Sequence, residues 1–298
     1  RKMTKAKYKL KGHETFVIRE GWVAKGIHAV KENERVFSEH MGADMLGVGT
    51  NMAKSIRYWL KATGLTQERL GKGAKLTELG EVIYQLDPYI EENFTLWCLH
   101  VNLATNQELA TSWYLFFNQF LLEEFKKEDV YVFMEHALGS YIGEQAFSEK
   151  SMQADCNAIL AMYGKEQEGK SDPEDKKICP LSKLGLLHRN GSKYKRLQPD
   201  LSRFPVETVW YLMQLCWQEE QSVSIEQFYE GTNGVKKILG LAPSVYQECL
   251  DVLQRQECIT INRTSGLDMI YKNKSESSQQ VAKRFYETMR ESQKADGL

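Results

Sequence analysis

The sequence predicts a mainly α-helical fold in which two winged-helix-like modules, each with a small β-hairpin as its wing, are joined by a helical middle region. A pattern of helix, turn, helix and hairpin occurs near each end of the chain, and the stretch between is apolar with helical spacing. The chain's 298 residues also exceed the usual size of one domain. We therefore predict modules at residues 1–92 and 204–298, a helical region at 93–160, and a polar loop with a basic hairpin at 161–203.

The first module is predicted from short segments that follow one another closely. A helix over Ala43–Leu46 and a glycine-rich turn precede a second helix at residues 51–63, for which Thr50 is the natural N-cap. A glycine–lysine turn at residues 71–75 then separates two short strands, and Thr77 begins the next helix. In a winged helix, the second helix commonly enters the major groove and the hairpin touches phosphates.

The second helix of this module has a basic outer side. Its apolar residues recur at three- and four-residue spacing, while Lys54, Arg57 and Lys61 fall largely on the other side. Winged helices also dock proteins, and any amphipathic helix has a charged outer face, so both DNA contact and protein docking stay open. The residues that we expect to contact DNA are Arg19, Lys25, Asn51, Lys54, Arg57, Lys61, Lys72, Lys75, Lys193, Lys195 and Arg196.

The rest of the chain is predicted to repeat this architecture after a helical middle. The aromatic stripe at residues 113–120 indicates a packed interior or a subunit interface, such as that of a homodimer, because acidic residues surround it. Asn190 and Gly191 mark a small hairpin, and the second module then has three helices, a hairpin and a closing helix at 275–295. Its candidate recognition helix, residues 244–256, carries few basic groups.

Charge is unevenly distributed, although the net charge is only −1. Residues 1–35 hold 10 Lys or Arg against 4 Asp or Glu, and residues 176–203 hold 8 against 1. Residues 81–149 hold 2 against 12. One face could therefore attract phosphate and another a basic partner. The alternative is that the basic segments are merely solvated.

The motifs of several common enzyme classes are absent. The sequence has no phosphate-binding glycine-rich loop, no dinucleotide fingerprint, no His-Glu-x-x-His and no nucleophile elbow. If the protein cleaves phosphodiester bonds, the candidate catalytic residues are His13, Glu14 and His40, because a histidine can act as general base and a carboxylate can orient it. Arg19 and Lys25 would then hold the phosphate, with Mg²⁺ or Mn²⁺ as the candidate cofactor. The alternative is an amphipathic entry helix capped by His13 and Glu14.

Six scattered cysteines indicate neither a disulfide framework nor a zinc site. Most are expected to be buried thiols, and Cys156 and Cys179 are the pair that could approach one another near the polar loop. No apolar run is long enough to span a membrane, and the first residues lack the apolar stretch of a secretion signal. We therefore expect a cytoplasmic protein.

Several motifs together carry a resemblance to a known family. They are residues 12–16 (GHETF), Arg19, Gly21-Trp22, Lys25-Gly26, residues 47–52 (GVGTNM), residues 179–181 (CPL) and residues 184–186 (LGL). With these motifs the sequence resembles, over most of its length, a bacterial family of formerly unknown function found in DNA-sulfur-modification and phage-defence gene clusters. It resembles in particular the DNA-nicking component of single-strand phosphorothioation systems. The resemblance implies DNA as ligand and a cysteine desulfurase, a sulfotransfer enzyme and an ATPase as partners, but it assigns no catalytic residues.

Three functional hypotheses follow. The first is a DNA-binding component of a phosphorothioation or related defence system, in which binding is followed by a nick. The second is a non-catalytic winged-helix adaptor or transcription regulator that binds partner proteins through the acidic, aromatic middle. The third is a sulfur-relay protein that works through Cys156 or Cys179.

Overall fold

The computed structural model describes residues 6–38, 42–166, 178–264 and 266–296. Within these residues the protein is mainly helical with small sheets, as the sequence predicts. The helices are α1 (Trp22–Glu32), α2 (Ala43–Leu46), α3 (Thr50–Ala62), α4 (Glu78–Leu86), α5 (Asn93–Thr105), α6 (Thr111–Gln119), α7 (Lys127–Ile142), α8 (Glu149–Tyr163), α9 (Glu207–Cys216), α10 (Ile225–Glu230), α11 (Val235–Leu239), α12 (Pro243–Arg255) and α13 (Ser278–Asp296). The strands are β1 (Thr66–Arg69), β2 (Gly73–Leu76), β3 (Glu124–Lys126), β4 (Gly164–Glu166), β5 (Leu187–Asn190), β6 (Lys193–Arg196), β7 (Ser222–Ser224), β8 (Ile259–Thr264) and β9 (Leu267–Lys272).

The predicted helices and hairpin of the N-terminal region are present. Ile56 and Trp59 of α3 are buried, and α3 packs against α1. The β1–β2 hairpin is held beside the segment that follows α1, because the Ala74 amide donates to the Glu34 carbonyl at 2.7 Å. Gly73 permits this approach: its φ is 94°, and a Cβ there would lie 2.2 Å from the same carbonyl oxygen.

The predicted start of a helix at Thr77 is confirmed. The Thr77 side chain accepts a hydrogen bond from the Gly80 amide at 3.1 Å and caps α4. The predicted cap of α3 is wrong, because Thr50 is already helical and Gly49 holds the cap position in an extended conformation. Glycine has no side chain that could accept hydrogen bonds from the first free amides of the helix, so these amides have no side-chain cap.

The middle region contains a sheet that the sequence did not fully reveal. The predicted hairpin around Asn190 and Gly191 forms as β5 and β6. β3 adds antiparallel to β6 and β4 adds parallel to β5, which gives the order β3-β6-β5-β4. β3 and β4 have three residues each, too few to show the alternation of a strand. The aromatic residues of α6 are buried, as predicted.

The C-terminal region follows the order helix, strand, two short helices, helix and hairpin. The three-stranded sheet has the order β7-β9-β8, so the first strand pairs with the second strand of the hairpin. A break in the helix after Glu230 separates α10 from α11. The strand β7 was not predicted. The closing helix α13 packs against α9 and also against α4 of the N-terminal region.

A buried network joins the two ends of the chain. The Asp87 carboxylate accepts from the amides of Glu91 and Glu92 and from the Thr95 hydroxyl, which lies 2.5 Å from the Tyr286 hydroxyl of α13. The buried apolar residues of both end regions and the middle form one continuous core. The predicted boundaries at residues 92, 160 and 203 stay a prediction. No helix in the part of the chain that the structure describes is long and apolar enough to cross a membrane.

Candidate nucleic-acid interface

The outer side of α3 is where the sequence predicted the main contact with DNA. Burial of the apolar side against α1 leaves Asn51 exposed and Lys54, Arg57 and Lys61 half-buried on the other side. Helical geometry brings residues three and four positions apart to the same face. The three cations therefore form one basic strip along the helix.

Two of these cations are engaged by a carboxylate that the sequence analysis overlooked. Glu68 of β1 accepts from Arg57 Nε at 2.5 Å and Nη2 at 2.9 Å, and from Lys61 Nζ at 3.0 Å. The bidentate hydrogen bond from Arg57 is the main cause that lowers the pKa of Glu68, and the hydrogen bond from Lys61 adds to it. The same bond raises the pKa of Arg57. We call this cluster the Glu68 clasp.

The clasp lines a surface cleft of about 680 Å³ between α3, the hairpin and the segment after α1. Arg35 and Arg69 join Arg57 and Lys61 in its wall, where the acids are Glu34 and Glu68. With four cations and two acids, the cleft has a net charge of +2. It can therefore attract an anion even though Glu68 neutralises part of the helix face.

The remaining N-terminal candidates lie on the hairpin, on α1 and just before α1. Lys72 is exposed in the hairpin turn, and Lys75 is half-buried on β2. Lys25 is exposed on α1. Arg19 differs from these residues, because its guanidinium lies over the rings of Phe16 and Trp22, at 5.6 and 5.1 Å from their centroids. Stacking of this kind fixes the side chain against the protein.

The candidates in the second basic segment lie on a different sheet. Successive side chains of a strand point to opposite faces, and accordingly Lys193 and Lys195 of β6 are exposed while Arg196 is half-buried. Lys195 forms an ion pair with Glu124 of β3 at 2.9 Å. Arg196 points away from the exposed lysines, so the three residues do not form one basic patch.

The candidate catalytic histidine His13 lies in the protein interior. Its side chain is 1% exposed, stacks on Trp59 and touches the edge of Trp113. Its Nε2 lies 3.0 Å from Asp155 Oδ1 of α8. The carboxylate beside His13 is thus that of Asp155, whereas Glu14 is half-buried in a backbone turn with a φ of 51°.

Asp155 also accepts from the Lys11 amide at 2.8 Å and from the Ser112 hydroxyl at 2.7 Å. The buried pair therefore anchors the entry segment to α6 and α8. His40, the other histidine proposed for catalysis, lies outside the described residues.

The described residues also bear on metal binding and on sulfur transfer. Within the described ranges, no group of three or more His, Cys, Asp or Glu side chains could hold a metal ion. These residues alone do not build a magnesium cage. Cys156 and Cys179 are buried free thiols, and burial raises the pKa of Cys179 to about 12. Sulfur transfer needs a thiolate, so this environment favours their interpretation as core residues.

Arg35, Glu68, Arg69 and Asp155 are brought to these sites by the tertiary structure and were not predicted from the sequence. Glu68 and Arg69 are adjacent in a strand with no motif around them, and Asp155 lies 142 positions from His13. The only sequence signal was charge: a helix with an outer basic strip followed by a hairpin that itself carries an acid. Such a signal does not tell which side of the hairpin faces the helix.

Comparison with known proteins gives the family and the fold. A family profile described as "Protein of unknown function (DUF4007)" matches residues 10–286. Two solved structures, described as "Magnesium ion-bound SspB crystal structure" and "SspB crystal structure", align with TM-scores of 0.83 and 0.82 at 22% and 23% identity. Each alignment covers 96% of this chain and 90% of the other chain. No curated protein matches. At this identity the likeness shows a shared fold.

Proposed function

The chain belongs to the DUF4007 family, and we propose that it is a DNA-binding component of a bacterial phosphorothioation or related phage-defence system. The observation that carries this proposal is the cleft of net charge +2 between α3 and the β1–β2 hairpin. DNA is a dense row of phosphates, and cations that neutralise them release counterions and supply sequence-independent affinity. The shared fold with SspB and the motif resemblance support the assignment to such a system.

Both end regions are proposed to be winged helices. The C-terminal order of helix, strand, helices and hairpin, with the first strand beside the last, supports this for residues 204–298. In the N-terminal region, α2, α3 and the β1–β2 hairpin follow in the same order without the first strand. On this proposal α3 lies in or along the major groove and the hairpin lies over the phosphate backbone.

Binding is tested with a fluorescein-labelled duplex, whose anisotropy is followed as salt is raised. For Lys54→Ala/Arg57→Ala we expect about tenfold weaker binding at low salt and a salt slope smaller by roughly two, because each lost phosphate contact removes about one from the slope. Lys150→Ala/Lys283→Ala, two exposed lysines of α8 and α13, is the matched control for net charge. Equal losses in both double variants would contradict an interface on α3.

Nicking is the finer part of the proposal and needs its own assay. Supercoiled plasmid is incubated with the protein and Mg²⁺, Mn²⁺ or EDTA, and metal-dependent open circles are expected. Glu14→Gln and His40→Ala test the proposed catalytic group. His13→Ala removes the partner of buried Asp155, so its result is interpreted only beside a folding measurement. Binding without nicking by the wild-type protein would leave a DNA-binding adaptor.

The adaptor function is a second candidate because the acidic middle has exposed apolar residues. Leu122 and Val132 are 51% and 59% exposed and lie among Glu123, Glu128 and Glu135. Such a surface suits a partner with a basic rim around an apolar centre. The proposed partners are the cysteine desulfurase, the sulfotransfer enzyme and the ATPase of such a system, in the cytoplasm, with a homodimer as a further candidate assembly.

A further inference from the structure

The side chain of Arg196 is held without a counterion between the middle region and the C-terminal region. Its Nη2 donates to the carbonyls of Phe116 and Phe120, at 3.3 and 2.8 Å, and the guanidinium lies 4.8 Å from the centroid of the Phe116 ring. Its Nε is shielded from solvent and has no partner. Among the described residues no carboxylate pairs with Arg196, whereas the half-buried Arg57 and Arg284 pair with Glu68 and Glu276.

This arrangement leaves part of the guanidinium free for another group. Burial lowers the pKa of Arg196 to about 10, so the side chain still carries its charge at neutral pH. A buried cation without a counterion destabilises a protein unless an anion approaches it. Nη1 has no hydrogen bond to the described residues and is not sealed from solvent. It is the atom through which an external anion can be bound.

Arg196 lines a cleft of about 600 Å³ between β6, α6 and the segment that leads into α12. The cations of the cleft are Arg196, Lys236 and Lys237, and its acids are Glu123 and Glu230, which leaves a net charge of +1. Lys236 is engaged by Glu230 at 2.8 Å, whereas Lys237 has no ion pair among the described residues. Arg196 and Lys237 are therefore the two cations available to a ligand.

The rest of the cleft is apolar and partly open to water. Leu121 and Leu197 line it and are 75% and 41% exposed, and Tyr229, Leu241 and Pro243 complete the apolar wall. Pro243 is the first residue of α12, so the amino end of that helix borders the cleft. Apolar walls with a few convergent polar groups, in a volume of about 300–1,000 Å³, are typical of small-molecule sites.

We propose that this cleft binds a nucleoside monophosphate. The phosphate accepts hydrogen bonds from Arg196 Nη1 and from Lys237, and the flat base covers the exposed apolar surface of Leu121 and Leu197. A phosphate dianion matches two cations, and the base of a nucleotide has the apolar area that inorganic phosphate lacks. This site is distinct from the α3 cleft and does not depend on DNA binding.

The test is calorimetric titration of the full chain with AMP, adenosine and inorganic phosphate. AMP is expected to bind more tightly than either fragment, because the site has separate positions for phosphate and base. Arg196→Gln should weaken AMP binding about tenfold or more, as expected for loss of a hydrogen bond to a charged group, and Lys237→Ala should weaken it less. Lys193→Ala, on the other face of the same strand, is the matched control and should bind AMP as the wild type does.

The outcomes separate this proposal from the alternatives. Absence of AMP binding to the folded wild type, or equal binding by wild type and the folded Arg196→Gln variant, overturns it. Adenosine or inorganic phosphate binding as tightly as AMP also overturns it. If Arg196→Gln does not fold, Leu121→Glu and Lys237→Ala carry the test, and unchanged affinity in both overturns it. Lys54→Ala/Arg57→Ala should retain AMP binding. The AMP titration can therefore be interpreted even if the protein does not bind DNA.

Discussion

The N-terminal and C-terminal regions have a similar order of elements but different surface chemistry. On α3 the cations Arg57 and Lys61 share one acid, Glu68, and the cleft around them keeps a net positive charge. On α12 the outward Gln247 instead donates to Asp251 at 3.0 Å. The hairpin β8–β9 places Arg263 directly opposite Asp268.

The difference shows that the order of elements does not by itself make a nucleic-acid interface. A helix and hairpin provide a frame, and the side chains on the outer face determine what the frame attracts. In this protein residues 50–76 hold 6 Lys or Arg against 1 Asp or Glu, while residues 243–272 hold 3 against 4. We therefore expect the phosphates of DNA to be bound at the N-terminal cleft.

The largest effect is expected where the N-terminal region is anchored to the middle. His13→Ala removes the ring that packs on Trp59 and leaves the buried Asp155 carboxylate with only the Lys11 amide and the Ser112 hydroxyl as donors. Loss of one member of a buried pair typically lowers the free energy of unfolding by about 3–5 kcal/mol. Urea unfolding followed by circular dichroism measures it. His136→Ala, on the exposed side of α7, is the control and should change stability by less than about 0.5 kcal/mol.

The comparison between the two regions is tested directly by removing arginines from each. Arg35→Ala/Arg69→Ala in the N-terminal cleft should weaken binding to a labelled duplex about tenfold at low salt. Arg255→Ala/Arg263→Ala, which removes the same charge from the C-terminal helix and hairpin, should change the affinity less than about twofold. A larger loss in the C-terminal variant would reverse the assignment of the interface.

The Glu68 clasp gives a prediction with the opposite sign. Glu68→Gln removes the only acid that engages Arg57 and Lys61 among the described residues, so both cations become available to phosphate. We expect binding to the duplex to strengthen about threefold, and its salt dependence to become steeper. Anisotropy measurements on wild type and variant give both quantities. Weaker binding by Glu68→Gln would mean that the clasp orients Arg57 for DNA rather than competing with it.

The smallest effect is expected in the pH dependence of stability. The clasp lowers the pKa of Glu68 below 4.5. Its contribution to the free energy of unfolding is therefore fully present above pH 4.5 and is lost as the pH falls through the lowered pKa. The pair is partly exposed, so the contribution should be about 1 kcal/mol or less. Unfolding of wild type and Glu68→Gln between pH 7 and pH 3 measures it. A difference that stays the same at every pH would show that the charge of Glu68 is not its cause.

Much of the local structure could be predicted from the sequence. The spacing of apolar residues located α3 and α12, Thr77 marked the start of α4, and the turn at Asn190 and Gly191 located a hairpin. These signals act within a few residues, through burial of one helix face or through a turn that needs particular residues. The strands β3, β4 and β7 were missed because three residues become a strand only when a distant strand offers its hydrogen bonds.

The candidate site was predicted less completely than the fold. The sequence determined which residues carry charge and which helix presents a basic side, and it determined the family through its motifs. Only the tertiary structure decided that Glu68 accepts from Arg57, that Asp155 pairs with His13, and that Arg196 donates to a phenylalanine carbonyl instead of pairing with an acid. The physical reason is range. Whether a residue is buried in a helix or strand can be predicted from the spacing of its neighbours in the sequence. The partner of a charged side chain depends instead on which distant segment packs against it.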